Sequence, residues 1–259
     1  MPPTPRLFAF IGIGLVVGFM SGLFGVGGGV LIVPALVLLL HFDQKVATGT
    51  SLLAVAPIAV VGTIAYSVEG HIDWVVSLFL AIGMVAGGVL GTWLLHRMPT
   101  IVLSWIFVAV LVVIAIRMFF ADPERGAPNP IDPIDIVLLI AIGFVVGTLS
   151  GLLGVGGGIV IVPTLIVLFG LDDLFAKGAS LVALLPNAVT ASVLNLRRRN
   201  GDLVGAVAIG LAGAATTWPG MLLAEFLDPQ LASVLFAVFL LAIAAQLALR
   251  TWRRSHPRT

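Results

Sequence analysis

The chain has 259 residues, 60% of them hydrophobic and 10% charged, with a formal net charge of +1 and a mean hydropathy of +1.20. A soluble domain is about a quarter charged and less than half apolar, so 12 acids and 13 bases cannot surface a water-soluble monomer, and the lipid bilayer has to serve as part of its solvent. A near-neutral balance offers no basic surplus to nucleic acid, and the absence of cysteine excludes disulfides, thiolate chemistry and cysteine-ligated metal centres.

The four histidines (His41, His71, His96, His256) form no H-x-x-x-H pair, so neither a metal nor another cofactor is expected. Arg6 is followed by an apolar stretch far longer than the core of a secretion signal, which argues against a cleavable leader. A spanning helix needs about 20 apolar residues to cross about 30 Å of hydrocarbon. In chain order, apolar stretches run at about 7–40, 46–68, 74–95, 100–120, 134–171, 178–196, 203–224 and 230–249, and the breaks between them hold most of the charges.

The two halves repeat. Residues 18–34, GFMSGLFGVGGGVLIVP, match residues 147–163, GTLSGLLGVGGGIVIVP, at 12 of 17 positions with an offset of 129. The same offset relates Gly14 to Gly143, Gly49 to Gly178, Ser51 to Ser180, Pro57 to Pro186 and Ala59 to Ala188. The expected fold is an all-α integral membrane protein of two homologous four-segment repeats. The first is 1–121, a polar linker follows at 122–133, the second is 134–250, and 251–259 form a basic tail.

The opening segment of each repeat is too long for one crossing. Residues 7–40 would make a straight helix of roughly 51 Å, yet Gly22, Gly25, Gly27, Gly28 and Gly29 cluster near its middle. Each Gly costs a helix about 1 kcal/mol relative to Ala, which predicts two shorter helices, 7–23 and 29–40, joined by an unwound turn. Gly151, Gly154, Gly156, Gly157 and Gly158 predict the same break in the second half. Unwound backbone at membrane depth survives only inside protein or beside a cavity. There the second half-helix would begin with unpaired N–H groups and a positive dipole end. Two such ends converging make an anion site without a buried Arg or Lys. A dinucleotide loop does not fit, because the G-x-G-x-x-G spacing is unmet. A Walker A loop would need Gly-Lys-Ser/Thr where Val30 and Ile159 stand.

Glycines spaced four apart (Gly14, Gly18, Gly22; Gly143, Gly147, Gly151; Gly83, Gly87, Gly91) read instead as close helix packing, the last set also offering a candidate face for a homo-oligomer. The second segments bring Thr48, Thr50, Ser51 and Pro57, and Ser180, Pro186, Asn187, Thr190 and Asn195. Most such polar groups bond a neighbouring helix. Those near the repeated prolines are the better ligand candidates, since Pro frees a carbonyl and kinks a helix. The candidate substrate-binding set is Gly25, Gly27, Gly28, Gly29, Ser51, Pro57, Gly154, Gly156, Gly157, Gly158, Ser180, Pro186 and Asn187, asymmetric because Ile58 is the counterpart of Asn187.

If the glycine-broken segments cross fully, each half has four crossings and the repeats are parallel. If they dip in and return, each half has three and the repeats are inverted. Lys and Arg counts, on which orientation formally rests, divide 10 to 3 either way. With the acids added, the two sides carry +8 and −7 when inverted and +3 and −2 when parallel. The contrast between Arg197-Arg198-Arg199 and its base-free counterpart at 69–73 also favours inversion, with both termini cytoplasmic.

The duplicated S-G-L-[FL]-G-V-G-G-G-[IV]-[LV]-I-V-P, followed by a G-[TA]-S-L-[LV]-A segment, resembles the sulfite exporter TauE/SafE family over nearly the whole chain. That resemblance implies an anion permease of the bacterial inner membrane carrying sulfite, sulfonates such as sulfoacetate, or related organic anions. Its motif positions are Gly22, Gly25, Gly27, Gly28, Gly29 and Pro34, with Gly151, Gly154, Gly156, Gly157, Gly158 and Pro163. The leading expectation is a secondary carrier exporting a small sulfur oxyanion by alternating access. An anion channel and a carrier of another organic anion are the alternatives. For an enzyme the sequence offers no convincing nucleophile, metal cluster or carboxylate pair.

Overall fold

The computed structural model describes residues 4–94, 100–119, 132–153, 156–197 and 201–255. Over these residues the chain forms ten α-helices, five per repeat. The first half comprises α1 (Thr4–Phe24), α2 (Gly29–Leu39), α3 (Gln44–Val68), α4 (Trp74–Leu94) and α5 (Thr100–Phe119). The second comprises α6 (Pro133–Leu153), α7 (Gly158–Phe169), α8 (Asp173–Arg197), α9 (Leu203–Phe226) and α10 (Pro229–Ser255). Six of them are long and apolar enough to cross a membrane. Each over-long segment breaks where its glycines cluster. The second pieces, α2 with 11 residues and α7 with 12, are about 16–18 Å long, roughly half the hydrocarbon thickness. Pro57 and Pro186 lie inside helices that continue past them, and α10 runs through the first part of the expected tail.

The acids at the breaks start the next helices. Side-chain oxygens accept from the first-turn amides: Asp73 from Val75 and Val76, Asp172 from Leu174, Asp202 from Gly205, and Asp228 from Gln230 and Leu231. A short side-chain acceptor satisfies donors that have no intrahelical partner, so few charges are needed to define many ends.

The halves are interleaved. α1 packs along α9, and its counterpart α6 packs along α4. A Cβ built on Gly14 would strike the Ile209 carbonyl, one on Gly18 the backbone of Gly213, and one on Gly22 the carbonyl of Thr217. The register therefore ascends together, and α1 and α9 run in the same direction. In the other pair Gly83, Gly87 and Gly91 meet the carbonyls of Ile140, Phe144 and Thr148, again in the same direction. These glycines pack helices as expected, but against α6 of the same chain. The backbone of α6 fills the face that Gly83, Gly87 and Gly91 could have offered a second copy.

The counterparts α3 and α8 also pack together, but in opposite directions. The Ser192 hydroxyl, late in α8, donates to the Leu52 carbonyl early in α3 at 3.2 Å, while Gly62, late in α3, lies against Leu181. Thr50 joins this end by accepting from the Asp202 amide at 2.9 Å.

The end of α1 is closed by Tyr66, the single tyrosine, whose fully buried hydroxyl donates to the Gly22 carbonyl at 2.7 Å. The last carbonyls of a helix lack intrahelical donors, and a buried acceptor left unpaired costs about 1–3 kcal/mol. Tyr66→Phe is therefore expected to lower the melting temperature of the purified protein by that equivalent. An unchanged melting curve would mean that another donor closes this end.

Candidate functional site

Both half-helices start in the same way. The residue before α2, Gly28, has φ +80°, and the residue before α7, Gly157, has φ +79°; both are left-handed, and neither end has a side-chain cap. A Cβ in that conformation is strained, and here it would also meet Val17 at Gly28, or Val146 and Met84 at Gly157. The earliest backbone bonds into each cap reach Leu31 and Ile32 from Gly28, and Val160 and Ile161 from Gly157. The amides of Gly29 and Val30, and of Gly158 and Ile159, precede that bonding.

The two turns abut. A Cβ on Gly158 would stand 2.7 Å from the Val26 carbonyl oxygen and 2.9 Å from its carbonyl carbon and Cα, and one on Gly156 would stand 3.9 Å from the amide nitrogen and Cα of Gly29. The α2 and α7 N-termini, each carrying roughly half a positive charge from aligned peptide dipoles, therefore meet at one place inside the protein. All residues from Ser21 to Val30 and from Gly156 to Val160 are buried.

Several expected side chains surround this junction. Ser51 donates to the Gly29 carbonyl at 3.3 Å, and its counterpart Ser180 donates to the Gly25 carbonyl at 3.0 Å, so α8 of the second half holds the turn of the first. Leu184 of α8 packs on Gly27. Asn187 is buried, its Nδ2 donating to the Ser150 hydroxyl at 3.4 Å, with its Oδ1 against Gly88. Ser21, the counterpart of Ser150, is fully buried, and its hydroxyl has no hydrogen-bond partner among the described residues. The counterpart serines thus differ as well: Ser150 meets Asn187, whereas Ser21 has no hydrogen-bond partner among the described residues.

Other residues fall elsewhere. Pro186 is exposed, and its carbonyl accepts from Thr190 at 2.8 Å. Pro57 lies against Gly210 of α9. Gly154 lies outside the described residues.

One expectation is corrected. The region was expected to hold no buried base, and Asp172 to Lys177 were assigned to a break. Instead α8 begins at Asp173, and Lys177 in its second turn donates from Nζ to Asp173 Oδ2 at 2.7 Å, with both side chains 3% exposed. Hydropathy counts each charge separately and places both outside, but at i and i+4 they neutralise one another on one face. The D-x-x-x-K spacing was the available signal.

A family profile described as Sulfite exporter TauE/SafE matches residues 2–118 and 139–259. Among curated proteins, a probable membrane transporter protein of Xylella fastidiosa (strain 9a5c) is 27% identical over 252 residues, which cover 95% of this chain and 96% of that protein. The probable membrane transporter protein YjnA of Bacillus subtilis is 26% identical, covering 84% and 88% of the two chains. The probable membrane transporter protein YunE of the same organism is 38% identical over a shorter span, 42% of this chain and 40% of its own.

Proposed function

Because the chain belongs to the TauE/SafE sulfite exporter family of membrane transporters, we propose that it carries small sulfur oxyanions, sulfite or organosulfonates such as sulfoacetate, across the bacterial inner membrane. The observation that carries the proposal is the junction of the two uncapped half-helices. Backbone N–H groups and dipole ends there favour negative charge and suit compact oxyanions, and the unpartnered Ser21 hydroxyl beside the first turn adds a donor.

Inverted repeats with both termini cytoplasmic suit this site. The opposite directions of the repeat counterparts α3 and α8 support this reading, in which a pseudo-two-fold axis lies across the helices rather than along them. Half-helices α2 and α7 then enter from opposite sides and meet near the midplane, as in other inverted-repeat carriers. Movement of one repeat against the other opens the junction to each side in turn. Export is the direction that an interior-negative potential favours, by about 2.3 kcal/mol per charge per 100 mV.

The test is counterflow in proteoliposomes of the purified chain against sulfite, thiosulfate, sulfoacetate, taurine and a carboxylate panel. Saturable exchange of a sulfur oxyanion is expected. Flux that never plateaus would identify an anion channel, and movement of carboxylates alone would reassign the substrate.

A further inference from the structure

The Lys177–Asp173 pair has no part in the site described so far. Lys177 stands over the first glycine turn: a Cβ on Gly25 would lie 2.6 Å from the Lys177 Cα, 2.7 Å from its Cβ and 3.0 Å from its Cγ. On the other side, Gly178 packs against the His71 carbonyl and Ile72 in the loop between α3 and α4. The start of the Lys177 stem therefore lies on the unwound turn, and the next residue, Gly178, lies on that loop. It is the single base among the residues described as buried.

The repeat supplies an internal control for what the fold requires. The positions 129 residues earlier are Gln44 and Thr48, so α3 begins in the first half with neutral residues where α8 carries the ion pair. A buried ion pair is seldom more stabilising than an apolar replacement of similar volume, which leaves the architecture no evident need of this one. Its cation belongs to a residue whose Cα, Cβ and Cγ lie against the first glycine turn of the junction. Its carboxylate sits in the first turn of α8, where the helix dipole favours a negative charge with or without the lysine. Asp172, the neighbouring buried acid, accepts from the Leu174 amide at 2.8 Å.

We propose that Lys177 is the counter-cation of the transported anion, and that Asp173 is an internal carboxylate occupying it until substrate exchanges in. This deepens the anion-carrier reading and rests on it. The substrate class follows: a compact oxyanion able to take a lysine ammonium from a carboxylate, rather than a neutral or zwitterionic solute.

The test measures sulfite transport by the full chain in proteoliposomes, with melting curves of the same preparations. Lys177→Met with Asp173→Asn removes both charges at similar volume. It is expected to melt near wild type while its KM for sulfite rises on the order of tenfold or more. Lys177→Arg is expected to restore most of the loss, and Asp173→Asn alone to lower KM several-fold by removing the competitor. A double variant with wild-type KM would make the pair purely structural and overturn the proposal. Should the double variant not fold, Asp173→Asn decides: an unchanged or raised KM overturns the proposal equally. Wild-type protein that moves no sulfur oxyanion would instead sink the carrier reading itself, and this proposal with it.

Discussion

Gly158→Leu is expected to reduce transport on the order of 100-fold while the protein still inserts and purifies as a folded species. Gly158 is the first residue of α7, and the atoms its side chain would meet are the backbone of Val26, at 2.7–2.9 Å from the Cβ alone. A flexible side chain could swing away; a peptide group in the opposing turn cannot. The two half-helix ends must then part by an ångström or more, and misplacing a binding group by that much commonly costs about two orders of magnitude. Gly12→Ala is the control, because nothing lies within 4 Å of a Cβ there. Uptake measured beside a melting curve separates the outcomes. Full transport by Gly158→Leu would remove the junction from the substrate path.

Gly18→Leu should have the largest effect on stability, exceeding about 4 kcal/mol, the range reserved for changes that a packed structure cannot absorb. Its Cβ would overlap the carbonyl and Cα of Gly213 in α9. Neighbouring turns are equally tight, with Gly14 on Ile209, Gly22 on Thr217 and Gly220 on Phe19. At these four turns the contact is with backbone, so relief at one turn would prise open several. Helix association in lipid depends on such close packing, because burial from water contributes little there. Gly147→Leu should fail in the same way, since Gly147 meets the backbone of Met84, and Met84 and Gly213 are themselves 129 residues apart. Monodisperse protein with wild-type melting in either variant would contradict this.

Much of this was legible without coordinates. The helices fall within a few residues of the apolar stretches, and the break at 25–28 lies where five glycines outweigh any helical propensity. Gly28 and Gly157 were identifiable because clustering, unlike four-residue spacing, has no packing explanation. Pro57 and Pro186 were singled out by repetition at an offset of 129, and the structure places Pro57 against Gly210 of α9 and Pro186 at an exposed position. Tyr66 and Ser21 were invisible because a side chain's partner lies 44 residues away in one case and, among the described residues, is absent in the other. Lys177 was misjudged because a charge was weighed alone, when its neutralising partner stood one helical turn back.

The sequence by itself determined the solvent, the duplication, most of the helix ends and the two unwound turns. Each of these follows from local composition: how much apolar surface a stretch carries, where glycine makes a helix too costly, and where an acid can cap the next one. Only the tertiary structure decided which helix lies beside which. α1 packs on α9 rather than within its own half, α3 opposes α8, and the two turns meet at Val26 and Gly158. Those pairings depend on surfaces brought together across more than a hundred residues, where the fit of backbone against glycine, rather than hydropathy, selects the partner.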